Sequence, residues 1–329
     1  MHSATILSTK DVVYQRHNFS TLQRIRLHCF FAAACVLIFL AAGAPGWATT
    51  IARNPNNTAL SQAHSDPQAL VRSVVQKELA DTYGTRQPLR YRLHKVTVHL
   101  NTTKEIVETK DGDVACLVAS GGQPLTPQAW QSERARLQQL QTQPALEQHR
   151  RSREQADTQR VEKVLRALPD AFQYKFAGVL SRPGGTVIRL TFEPNPNFSP
   201  QDYETHVLKG MRGEIWIDAA QKRMLRFDAH LFEGVDFGWG ILGYLNKGGS
   251  VLIEQGEVVP SMWALTHMHL SLTGRALLVK PLKVEMEETA TDYQRVAGDL
   301  SYQQAVDVLL REQCGSPTAA PEAGTANQQ

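Results

Sequence analysis

The sequence predicts an α+β protein centred on a strongly curved antiparallel sheet, an incomplete barrel wrapped around a few helices. Three observations carry this. Residues 213–293 form a series of strand-like segments in which apolar and polar side chains alternate. Ile215, Ile217, Leu225, Phe227, Leu231, Met268, Leu270, Leu272, Leu282, Val284 and Met286 fall on one face of those strands. Their neighbours Glu214, Arg226, Asp228, His230, His267, His269, Lys283, Glu285 and Glu287 fall on the other. Helical patterns are few, at 67–83, 160–168 and 301–312, so the sheet must bend over them to cover its apolar face.

Before the first helix, residues 1–48 read as a signal peptide. Cys29 to Gly43 is an apolar run of h-region length, preceded by Arg24 and Arg26 and followed by small residues at Gly46 and Ala48. Cleavage is expected after Ala48, which makes the chain exported and periplasmic; an uncleaved signal anchor in the inner membrane is the alternative. The leader holds Lys10, Arg16, Arg24, Arg26 and Asp11. Removing them from 35 basic and 32 acidic residues leaves 31 of each, so the charge does not argue for a nucleic-acid partner. Cys116 and Cys314 remain. An oxidising compartment allows one disulfide between them, and spacing leaves two separate thiols equally open.

Residues 49–65 are polar and rich in Asn and Ser, which predicts a flexible lead-in. Asp66 and Pro67 mark a helix start as cap and first helical residue. Leu70, Val71, Val74, Val75 and Leu79 share one face, and Gly84 closes the helix. Leu89, Tyr91 and Leu93 alternate, as do Val96, Val98 and Leu100. The change of phase predicts a bulge near His94 and Lys95. Asp111-Gly112 predicts a turn between strands at Ile106-Val107 and Val114–Ala119. Residues 127–168 form a polar helical insertion, broken at Pro144, and Glu147–Arg160 reads as either a solvated helix or disorder. Phe172, Tyr174 and Phe176 begin a strand, Gly184-Gly185 turn, and Thr186–Phe192 makes the next. Ser301 and Gln304 form a capping box for the last helix. One domain is therefore expected over 66–312, with a disordered tail over 313–329.

Motifs for chemistry are weak. Gly238 to Gly243 matches G-x-G-x-x-G, but its neighbours are strands, so a tight connection is the better reading than a dinucleotide site. His267 and His269 stand roughly 7 Å apart on one strand face. With Glu285 and Glu287 they offer ligands for a metal-dependent hydrolase, or simply the solvated side of the strand. No H-E-x-x-H, G-x-S-x-G or P-loop occurs. The expectation is a non-catalytic protein without metal or cofactor.

Leu190-Thr-Phe-Glu-Pro-Asn-Pro, Gly213-Glu-Ile-Trp-Ile-Asp and the stretch from Val235 to Gly248 resemble LolA/LolB-like exported bacterial proteins, the outer-membrane lipoprotein-sorting superfamily. The resemblance spans Leu89 to Leu310. It implies an incomplete barrel that holds acyl chains in its hollow, and it transfers no functional residue. The expected function is binding or carriage of a lipid, a lipoprotein acyl chain or another apolar ligand. The eleven inward residues would line that site, with transient membrane contact. The alternative is a structural module of the cell envelope with a filled core, in which 127–160 reaches a protein partner.

Overall fold

The computed structural model describes residues 55–83, 87–237, 243–276 and 280–317. It begins with two helices, α1 (Pro55–Ser65) and α2 (Pro67–Tyr83). A four-strand meander follows: β1 (Leu89–Thr97), β2 (Asn101–Val107), β3 (Val114–Ser120) and the short β4 (Gln123–Pro124). Two helices, α3 (Pro127–Thr142) and α4 (Pro144–Ala171), lead to the hairpin β5 (Phe172–Arg182) and β6 (Gly185–Pro194). A single turn, α5 (Tyr203–His206), runs through a 3-10 turn into β7 (Met211–Asp218) and β8 (Arg223–Leu231). Then come the small β9 (Val235–Phe237) and β10 (Gly243–Leu245). The long β11 (Ser250–Val259), β12 (Met262–Ala276) and β13 (Lys280–Arg295) follow, and α6 (Tyr302–Arg311) is last.

All pairings are antiparallel, in the order β4-β3-β2-β1-β13-β12-β11-β8-β7-β6-β5, with β9 and β10 branching beside β12. The return of β13 to β1 joins the N-terminal meander to the rest. The path keeps two free ends, so the curved sheet does not close. At the meander end the edge is blunted by side chains. Glu133 accepts the Leu117 N–H at 2.8 Å and Arg136 donates to the Ala115 carbonyl at 2.5 Å.

The described helices cover only part of the inner face. Ala59 and Ala63 of α1, five aliphatic residues of α2 and Leu168 of α4 pack on Phe172, Ile188, Leu190, Phe192, Ile215, Ile217 and Phe227. Asp66 caps α2 as expected, its carboxylate accepting the Ala69 N–H at 2.8 Å. On the opposite face of β2 and β3, α3 and α6 bury Val107, Val114 and Cys116 under Leu137, Leu140, Tyr302, Val306 and Leu309. The structure joins Cys116 to Cys314 as a disulfide, with Cα atoms 6.4 Å apart, and this ties the end of α6 to β3.

Several segments differ from their sequence reading. Residues 55–65 are helical rather than a flexible lead-in, because Ala59 and Ala63, one turn apart, are small enough to lie flat on the core. Residues 313–317 form turns pinned by Cys314 rather than the start of a disordered tail, and 318–329 lie outside the described residues. Pro144 does separate two helices, but α4 is continuous through Glu147–Arg160. Arg150–Glu154 at 2.7 Å and Arg160–Asp157 at 2.5 Å supply the turn-to-turn ion pairs of a solvated helix. Residues 1–48, read above as a signal peptide, lie outside the described residues, as do residues 49–54, Gly84 and 238–242 of the glycine pattern.

Candidate functional site

The apolar face can be followed across the sheet by register. One row runs Ile215, Phe227, Ile253, Met268, Glu288 and Lys95, on six neighbouring strands. The next runs Ala229, Val251, Leu270, Met286 and Thr97. Beyond it Leu272 faces Val284, and Gly274 faces Leu282.

These rows divide the eleven inward residues into two groups. Ile215, Ile217, Phe227 and Leu231 are buried in the filled core beneath the helices. Leu225 is not with them. A register shift between Trp216 and Ile217 pairs Ile217 with Met224, so Met224 takes the core position and Leu225 is only half-buried. Met268 is buried. Leu270, Leu272, Val284 and Met286 are half-buried, and Leu282 is 36% exposed. The face is therefore a packed core over β5–β8 and an incompletely covered aliphatic strip over β12 and β13.

The strip ends in charge. Lys95 and Glu288 form an ion pair at 2.6 Å, with side chains 7% and 2% exposed. The alternation of β1 does not slip at His94 and Lys95, as its composition suggested: Leu89, Tyr91, Leu93 and Lys95 are all inward and buried. The irregularity lies between Arg90 and Arg92, against β13. Sequence reading missed this pair because a polar side chain at an inward position looks like a change of phase. The signal was present in the unbroken two-residue spacing of Val284, Met286, Glu288 and Ala290. Lys104 on β2 stands beside Leu93, one step from the pair. Burial pulls its amine below the usual lysine range, and Arg136 adds to the effect.

The outer face of these strands is mostly polar, with Leu252 and Trp216 among its charged side chains. His267 contacts Glu254 at 3.3 Å and Glu287 at 3.4 Å, while Glu285 accepts from the Ser271 hydroxyl at 3.1 Å. His267, His269, Glu285 and Glu287 thus belong to a cross-strand charge ladder. Among the described residues no group of three or more His, Cys, Asp or Glu side chains is placed to hold a metal ion. Farther along this face Trp216 lies under three guanidinium groups, Arg182 at 5.0 Å, Arg226 at 5.3 Å and Arg189 at 5.7 Å. Arg189 also forks onto Glu214 and holds that carboxyl below the usual glutamate range, with the Trp216 N–H assisting.

A polar pocket of about 490 Å³ opens at the β1–β13 irregularity, lined by Arg90, Tyr91, Arg92, Glu105, Asp292, Tyr293 and Gln294. Arg90 is engaged there by Glu105 and Glu312, so charge rather than aliphatic surface dominates its wall. No described helix is long and apolar enough to cross a membrane.

No family model and no curated protein matches the chain. Among solved structures it is similar to a domain assigned to outer membrane lipoprotein sorting from Vibrio parahaemolyticus. That match has 11% identity and a TM-score of 0.31, over 73% of this chain and 97% of that one. It is also similar to a DUF1329 family protein from Desulfovibrio piger, with 11% identity and a TM-score of 0.25, over 71% of this chain and 94% of that one.

Proposed function

We propose that this is an exported, non-catalytic protein that binds or carries an acyl chain or similar apolar ligand on the inner face of β12 and β13. One observation carries the reading. The same face that forms a packed core under the helices continues into Leu270, Leu272, Leu282, Val284 and Met286 without equivalent cover from the described residues. Aliphatic surface in that state gains about 25 cal/mol for each Å² removed from water, and an acyl chain gains about 0.8 kcal/mol per buried CH₂. The strip adjoins rigid core at Val251, Ile253 and Leu272, so a ligand would meet a preformed wall.

Native mass spectrometry of the purified protein, before and after gentle organic extraction, tests this. A bound lipid that leaves on extraction, and returns to wild type but not to Leu270→Glu or Met286→Glu, supports it. A bare mass with no uptake of added phospholipid or acylated peptide overturns it. That outcome would favour the alternative, an envelope interaction module. The filled core over β5–β8 and the long exposed helix α4, with Leu146 43% exposed, would then be the features to pursue.

A further inference from the structure

The charges at the end of the strip do not balance. Lys95 is matched by Glu288, and Arg136 is matched by Glu133 at 2.6 Å. Lys104 is a third cation among these two carboxylates, and among the described residues no carboxylate lies within salt-bridge reach of it. It shares the inner side of β2 with Ile106, which packs on Leu89, Tyr91, Leu93 and Ala290. A positive charge in such surroundings is unfavourable unless an anion joins it.

The dimensions fit one occupant. From Glu288 back through Met286 and Val284 to Leu282 the strip extends about 20 Å, at about 3.4 Å per residue. It is two strands wide, with about 5 Å between them, which suits one extended chain rather than two side by side. It is aliphatic along its length, and the Lys95–Glu288 pair at its end leads across β1 to the additional cation, Lys104 on β2.

We propose that the site takes a single-chain carboxylate amphiphile, a long-chain fatty acid, with its tail along Leu270, Leu272, Leu282, Val284 and Met286 and its head at Lys104. This rests on the acyl-binding reading above and adds the head-group chemistry to it. A diacyl lipid offers two chains to a strip fitted for one, and an uncharged ester leaves Lys104 unmatched.

Calorimetric titration of the purified protein with oleic acid, methyl oleate and oleylamine at neutral pH tests the inference. The acid should bind at least about tenfold tighter than the ester, which corresponds to about 1.4 kcal/mol. The amine should bind most weakly. Lys104→Met should bring the acid to the affinity of the ester and leave the ester unchanged, whereas Lys104→Arg should keep the preference. Equal binding of acid and ester by wild type overturns the inference without any variant and leaves the acyl-binding reading standing. So does tighter binding of phosphatidylglycerol than of the acid, or retention of the acid's preference in a folded Lys104→Met. No binding of any of these amphiphiles overturns both.

Discussion

Replacing Glu288 by leucine should destabilise this protein more than the loss of one polar contact suggests. Its side chain is 2% exposed and its ion-pair partner among the described residues, Lys95, is 7% exposed, so the pair lies in the interior. Removing the carboxylate leaves the Lys95 ammonium buried beside Lys104 without its ion-pair partner. Breaking a buried pair in this way costs about 3–5 kcal/mol. With a urea slope of about 3 kcal/mol/M for a chain of this size, the unfolding midpoint should fall by roughly 1–1.7 M. The double variant Glu288→Leu/Lys95→Met replaces the pair with aliphatic groups beside Met268 and Leu93. It should recover most of the loss, since buried pairs are often no better than well-packed apolar substitutes. Urea titrations of wild type, both single variants and the double variant complete the cycle. If Glu288→Leu falls within about 1 kcal/mol of wild type, or the double variant is no more stable than the singles, the pair is not in the environment described here.

Glu214 supplies a pH test. Arg189 lowers its folded pKa, so its contribution to stability is present above the unfolded value near 4.5 and is lost as pH falls through the lower folded value. Glu214→Gln should therefore be less stable than wild type at neutral pH and converge with it at acid pH; parallel acid-denaturation curves would refute the assignment. Opening the Cys116–Cys314 bridge, by reductant or Cys314→Ser, should cost about 2–4 kcal/mol and lower the melting temperature, because the bridge closes a loop of 198 residues. Identical melting with and without reductant would refute it. Ser301→Ala should cost about 1 kcal/mol by removing the α6 cap, measurable in the same melts. A bound acyl ligand at about 100 times its Kd should add about 2.7 kcal/mol of stability, a rise of roughly 5–10 °C in melting temperature. Leu270→Glu should abolish that rise, and an unchanged rise in this variant would place the ligand elsewhere.

What could be read from the sequence was local. The Asp66 and Ser301 caps act through the next few backbone amides, and both form as the residue types require. The Asp111-Gly112 turn needs only a glycine at positive φ, and Gly112 has φ +111°. Period-two alternation placed Ile215, Phe227, Met268 and Met286 on one face because every sheet obeys it. The failures share a cause: they depend on partners far along the chain. Lys95 is inward because Glu288, 193 residues away, comes beside it in the fold. Met224 displaces Leu225 because β7 and β8 slip by one residue against each other. Helix α1 looks too polar to order itself, and its helical state rests on two alanines meeting a core assembled from other segments.

The same dependence explains why the sequence left filled core and open hollow as alternatives. The inward residues of β7 and of β12 carry the same kinds of side chain, and alternation assigns both to one face without saying what lies above it. The difference is set by the helices. α2 brings Leu70, Val71, Val74, Val75 and Leu79 onto β6–β8, whereas the other aliphatic helix face, on α6, is spent on the opposite side of β2 and β3. Leaving five aliphatic side chains half in water forgoes on the order of 1 kcal/mol each, a large share of the 5–15 kcal/mol that separates a folded domain from its unfolded chain. The bridge from the end of α6 to β3 ties down the outer side of the meander, which reaches the strip only through β1 and β13. On the reading proposed above, the acyl ligand completes the part of this face that the described residues leave uncovered, with its negatively charged end toward Lys104, which lies across β1 from the strip.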